Sequence, residues 1–184
     1  MSVFERIKEF LDTNGVPYDL REHPAVYTSQ EAAAARGCDL KQGAKSLVLH
    51  VTRQRHPEEH GDEGSRTPMQ EIPNPDTMEG RRYYILAVIS AVRQADFEKL
   101  KQHLGAKKVR LCTPDEALKV TDCTVGSVPP FGNLLNLPTY VDPSLGENET
   151  IAFNPGSHTH SILMKYADYV RIVQPEIVAF AKSV

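Results

Sequence analysis

A long polar stretch splits the most apolar part of this chain, and it constrains the fold more than any other feature. Before it, Ala44 to Thr52 supplies Leu47, Val48, Leu49 and Val51 over a length too short for a typical helix. After it, Tyr83 to Ile89 supplies a second apolar run. Each reads as a strand, and the second is the expected partner of the first. The residues between them, Arg53 to Arg82, carry four prolines, three glycines and twelve charged residues, with only Met69, Ile72 and Met78 as aliphatic candidates for burial. This segment reads as an inserted polar loop, because closure entropy grows only slowly with length and a strand pair tolerates such an insertion. A partner-docking role for it stays open.

The flanking sequence alternates helix and strand signals. Val3, Phe4, Ile7, Phe10 and Leu11 fall on one helical stripe over residues 3 to 14, with Gly15 where a left-handed residue ends a helix. Val16 to Glu22 reads as a short strand. Thr28-Ser29-Gln30-Glu31 is a capping box before the alanine run Ala32 to Ala35, and that helix should stop by Gly37. Asp96 to Leu104 suits a helix ended by Gly105, and Lys107 to Cys112 a strand. A second capping box, Thr113-Pro114-Asp115-Glu116, has proline at the first helical position and opens a helix running to about Val120. Short apolar pieces follow at Thr139 to Val141, Thr150 to Phe153 and Ser161 to Met164, and a last helix is predicted from Pro175 to Lys182. The pattern is mixed α/β, a compact sheet flanked by helices, and 184 residues suit a single domain.

Several function classes drop out. No stretch approaches the roughly 18 apolar residues of a membrane span, and the start lacks a signal-peptide layout, so a soluble cytoplasmic protein is expected. Cys38, Cys112 and Cys123 are an odd, scattered set without a C-x-x-C pair, which indicates neither a disulfide framework nor a cysteine zinc site. With 21 Lys and Arg against 24 Asp and Glu, the net charge is −3, and any contact with nucleic acid must be local. The G-x-S-x-G elbow, the phosphate-cradling glycine motifs and H-E-x-x-H are all missing. No cofactor or metal is expected.

Four places remain where chemistry could sit. Thr124 to Gly132 holds two glycines and the pair Pro129-Pro130, a loop rigid enough to aim backbone N–H groups at a developing oxyanion, or else a structural turn. Asn154-Pro155-Gly156-Ser157-His158-Thr159-His160 is a second glycine loop, whose two histidines read as hydrogen-bonding groups rather than metal ligands. Lys45 stands at the mouth of a strand, where it either holds a phosphate or polarises an ester carbonyl, or is simply solvated. Lys99, Lys101, Lys107, Lys108 and Arg110 form a basic cluster, read first as a solvated face. Cys123 is the one thiol next to a candidate loop.

In this order the features resemble the YbaK and prolyl-tRNA-synthetase-associated editing domain family, free-standing hydrolases of mischarged aminoacyl-tRNA. The resemblance rests on Gly43-Ala44-Lys45-Ser46-Leu47-Val48, Leu104-Gly105-Ala106-Lys107-Lys108-Val109-Arg110, Gly126-Ser127-Val128-Pro129-Pro130-Phe131-Gly132, Tyr140-Val141-Asp142-Pro143-Ser144-Leu145, and Ile151 to His158. It covers nearly the whole chain except Arg53 to Arg82. It implies a mixed, partly barrel-like β-sheet surrounded by helices, with a cleft for the acceptor end of aminoacyl-tRNA. The family's lysine maps onto Lys45 and its substrate loop onto Gly126, Ser127, Val128, Pro129 and Pro130, while Gly156, Ser157 and His158 match its later glycine loop. The implied catalytic set is Lys45 with the backbone around Gly126 and Ser127. Asp122 departs from the pattern, standing where many members have glycine. The implied activity is hydrolysis, without metal, of the ester that joins a small amino acid to tRNA, with alanine, serine or threonine favoured over cysteine. A synthetase is a further implied partner, whereas membrane and DNA are not. The competing reading is a non-catalytic tRNA- or synthetase-binding module of the same fold.

Overall fold

A computed structural model of the protein describes residues 1–53 and 82–182. Helix α1, Val3–Thr13, starts on a reciprocal cap in which the Ser2 hydroxyl accepts the Glu5 N–H and the Glu5 carboxylate accepts the Ser2 N–H. Its i, i+4 residues Val3, Ile7 and Leu11 are buried. Strand β1, Tyr18–Glu22, leads to α2, Ser29–Arg36, which begins on the Thr28 capping box and ends at Gly37 with φ +60°. Strands β2, Ala44–Arg53, and β3, Arg82–Ser90, pair antiparallel with Lys45 opposite Ile89 and Thr52 opposite Arg82. The expected inserted loop lies almost wholly outside the described residues.

Next come α3, Phe97–His103, β4, Ala106–Leu111, and α4, Pro114–Thr121, the last opened by the Thr113 capping box. Asp122 ends α4 with φ +57°, a left-handed conformation that glycine adopts without strain, which explains why a glycine suits this position. The chain continues through α5, Gly132–Leu135, β5, Thr139–Val141, β6, Thr150–Phe153, and β7, His160–Lys165, and then α6, Tyr166–Val173, and β8, Glu176–Ile177.

The strands form two sheets, one ordered β1-β7-β6 and the other β4-β2-β3-β5-β8. Both faces of the larger sheet are covered, and the alternation of side chains sorts its residues between two cores. Val48, Leu86 and Val88 join the core that includes Ile7, Phe131 and Tyr169. Leu49, Val51, Ile85, Ala87 and Ile89 join the other, around Leu100 and Phe180. Burial on both faces accounts for the unbroken apolar run of β3. A parallel bridge between Gly43 and Ala152 ties the start of β2 to β6, so the two sheets meet beside Lys45.

The C-terminal segment corrects the sequence reading: Pro175 to Lys182 is not a helix. Its backbone groups bond elsewhere, with Val178 N–H donating to Val141 O, and Phe180 and Ala181 N–H both donating to the Asp142 carboxylate. Phe180 is fully buried by this extended strap. The helix lies earlier, as α6, whose N-cap Lys165 makes no side-chain capping bond and so leaves no sequence signal.

Candidate active site

The junction of the two sheets opens into a cleft lined by residues that follow Val26, by the start of β2, by Arg36 and by Gly126, Val128 and Asn154. Two hydrogen bonds sew the loops together: Gly156 N–H donates to Ser127 O, and the Asn154 side-chain amide donates to Gly126 O, both at 2.9 Å. His158 closes the brace. Its Nδ1 lies 3.0 Å from Val26 O and its Nε2 2.9 Å from the Thr124 hydroxyl. A carbonyl only accepts, so Nδ1 carries the proton and, in the neutral ring, Nε2 accepts from Thr124. Tyr27 packs over the same ring at 4.8 Å.

Both loop glycines are required. Gly126 has φ +88° and Gly156 φ +84°, in the left-handed region, and a Cβ on Gly156 would stand 3.0 Å from Val3 Cβ. The Gly156→Ala variant is therefore expected to lose about 1–3 kcal/mol, read as a lower urea midpoint at unchanged slope.

Of the residues expected at the site, Lys45, Gly126 and Val128 line the cleft together. Lys45 Nζ donates to Arg93 O at 2.7 Å, and among the described residues its other two donors have no partner. Burial pushes its pKa below the ordinary lysine value. The N–H groups of Gly126 and Val128 have no hydrogen-bond partner among the described residues. Ser127 does not share this role: it is 1% exposed, and its N–H and its hydroxyl both donate to Thr124 O. Of the backbone groups expected to face an oxyanion, the Ser127 N–H is therefore taken, while those of Gly126 and Val128 are without a partner among the described residues. Pro129 and Pro130 are buried, and Pro130 O accepts the Tyr169 hydroxyl at 2.8 Å. Gly156 and His158 brace the Gly126 loop, whereas the Ser157 hydroxyl bonds to Thr159 and His160, and none of the three lines the cleft.

Two contributors escaped the sequence reading. Ser46 lines the cleft, and its hydroxyl is buried and without a partner among the described residues. Arg36 also lines it, only 6% exposed. Among the described residues no carboxylate lines the cleft, and the charged side chains that do are Lys45 and Arg36.

The remaining candidates fall away. Cys123 is buried, and burial pushes its thiol up to about 11, so it stays protonated near neutral pH. The basic cluster is broken up: Lys99 Nζ donates to Ala181 O, Lys101 pairs with Glu98, and Arg110 makes a two-pronged contact with Glu116. His160 stacks against Phe4 at 4.8 Å. Among the described residues no three His, Cys, Asp or Glu side chains gather to hold a metal ion, and no helix is long and apolar enough to cross a membrane.

Known proteins share this fold and part of this sequence. The solved structure of a protein assigned as a trans-editing enzyme for prolyl tRNA synthetase superposes with a TM-score of 0.73 at 22% identity, over 100% of this chain and 99% of that one. The multifunctional Ser/Thr-tRNA deacylase ProXp-y of Escherichia coli (strain K12) is 32% identical over 180 residues, 97% of this chain and 93% of the relative. The prolyl-tRNA editing protein ProX of Acetoanaerobium sticklandii is 23% identical over 168 residues, 89% of this chain and 86% of the relative. The model of the aminoacyl-tRNA editing domain matches residues 70–172, more than half of the chain. By that match and the near full-length identity to a tRNA deacylase, this chain belongs to the aminoacyl-tRNA editing domain family.

Proposed function

We propose that this protein is a trans-editing aminoacyl-tRNA deacylase, which hydrolyses the ester joining a small, preferably hydroxylated amino acid to the terminal ribose of mischarged tRNA. The observation that carries this reading is the cleft in which Lys45 shares the lining with Gly126 and Val128, whose N–H groups are unpartnered among the described residues. Ester hydrolysis needs such an arrangement because negative charge develops on the carbonyl oxygen, and preorganised donors stabilise it there. Water attacks the acyl carbon, the bond from that carbon to the ribose oxygen breaks, and the ribose oxygen takes a proton. The products are a free amino acid and tRNA with its terminal hydroxyl restored.

Among the described residues no carboxylate lines the cleft to act as general base, so proton removal from water falls partly to the substrate's own ribose hydroxyl or α-amine. Selection by size rests on the room beside Ala32, Ala44 and Val128, since a pocket excludes a side chain larger than itself and admits a smaller one. The choice of serine and threonine over alanine is supported by the Ser/Thr-tRNA deacylase relative.

The test is release of labelled amino acid from seryl-, threonyl-, alanyl-, cysteinyl- and prolyl-tRNA. Turnover that is fastest with the seryl or threonyl ester is the expected result. No turnover on any ester by folded protein that still binds tRNA would make it a binding module instead.

A further inference from the structure

Among the described residues, the arginine buried in the cleft wall has no counter-ion. Arg36 closes α2 and is 6% exposed. Its Nε donates to Ser161 Oγ at 2.8 Å and its Nη2 to Asn154 Oδ1 at 2.6 Å. A guanidinium has five N–H donors, and among the described residues the other three, including both on Nη1, have no partner. No carboxylate pairs with it among the described residues. Burying a charge this way is costly unless something completes it.

The free edge belongs to the cleft. Arg36 and Gly43 both line it, and a Cβ built on Gly43 would stand 4.0 Å from Nη1. The edge between the two terminal nitrogens is the one that grips a planar or tetrahedral oxyanion through paired donors. The inner edge is held rigidly. Ser161 is also bonded to His23 Nε2 at 2.7 Å, and Asn154 passes its own amide N–H to Gly126 O. The guanidinium is therefore fixed in register with the Gly126 loop.

We propose that Arg36 is a substrate-binding residue that grips the phosphate on the 5′ side of the terminal ribose. This rests on the deacylase reading. Within it, the α-amino group of the amino acid is neutral or cationic and offers Arg36 no negative charge, and the only anion carried by a terminal aminoacyl nucleotide is that phosphate. Lys45 is then left for the ester carbonyl, and the two cations of the cleft divide the substrate between them.

The experiment uses two minimal substrates, serine esterified to a ribose hydroxyl of 5′-AMP and the same ester of adenosine. They differ only in the phosphate. The wild-type protein is expected to prefer the AMP ester by about tenfold or more in kcat/KM, expressed through KM. In Arg36→Gln that preference collapses toward one, and Arg36→Lys restores part of it. A merely structural role would lower both esters together and leave their ratio unchanged, and that result overturns the proposal. So does a wild-type ratio near one. Should the variants fail to fold, the wild-type protein decides: the Arg36 Nε resonance shifts on titration with 5′-AMP but not with adenosine, and equal responses contradict the assignment. If neither ester turns over while 5′-AMP alone moves that resonance, the deacylase reading fails and the phosphate site stands.

Discussion

Replacing Lys45 by methionine is expected to lower kcat/KM for a seryl ester by about 100- to 1000-fold, the loss typical of one well-placed oxyanion donor. Methionine keeps the apolar stem and removes the charge, so the half-buried side chain still packs while the bond to Arg93 O is lost. The matching folding transition should move little, because removing a desolvated cation offsets the lost hydrogen bond. A pH profile sharpens the test. Burial alone pushes the Lys45 pKa down, and the protonated ammonium is the active form. Wild-type activity, after subtraction of spontaneous hydrolysis, should therefore fall as pH rises through a value below the ordinary lysine range. The residual activity of Lys45→Met should lack that fall.

The second large effect concerns stability. Asp142, 2% exposed, accepts the N–H groups of Ser144, Phe180 and Ala181 and so pins the C-terminal strap to the end of β5. Asp142→Ala strands these donors, and the expected loss is about 3–5 kcal/mol by urea denaturation, since a buried unsatisfied donor costs about 1–3 kcal/mol. Burial pushes this carboxyl up, but the hydrogen bonds from Ser144, Phe180 and Ala181 outweigh it, and its pKa lies below the ordinary aspartate value. A depressed folded-state pKa stabilises the protein above the unfolded value of about 4, and that contribution is lost as pH falls through the folded value. The deficit of Asp142→Asn relative to wild type is therefore largest near neutral pH and shrinks in acid. A deficit that is flat from pH 7 to pH 3 would mean that the carboxylate charge contributes nothing.

Local chemistry made much of this fold legible. The capping boxes at Thr28 and Thr113 are satisfied within four residues, so their helices start where side chains and backbone already agree. The strands at Ala44 and Tyr83 were readable because their apolar runs face two cores. The C-terminal strap was not, because its donors are met by Asp142, 38 and 39 residues away. The site divides in the same way. Lys45, Gly126 and Val128 stand in segments whose residue types match the family pattern. Arg36 reads from sequence as an ordinary cation in the last turn of an alanine-rich helix, where it favours the helix dipole. Its burial depends on Asn154 and Ser161, 118 and 125 residues distant. Ser127 shows the reverse error: its place beside Gly126 implied a free donor, but a tight turn returns its N–H to Thr124 O.

The most direct measurement is a crystal structure with an unreactive analogue, serine joined through an amide to 3′-amino-3′-deoxyadenosine 5′-monophosphate. The carbonyl oxygen is expected within hydrogen-bond distance of Lys45 Nζ and of the Gly126 or Val128 N–H, with the phosphate on Arg36. An analogue bound away from this cleft, or bound in it with the carbonyl facing neither Lys45 nor the Gly126 loop, would contradict the assignment of the cleft as the place where the ester is broken.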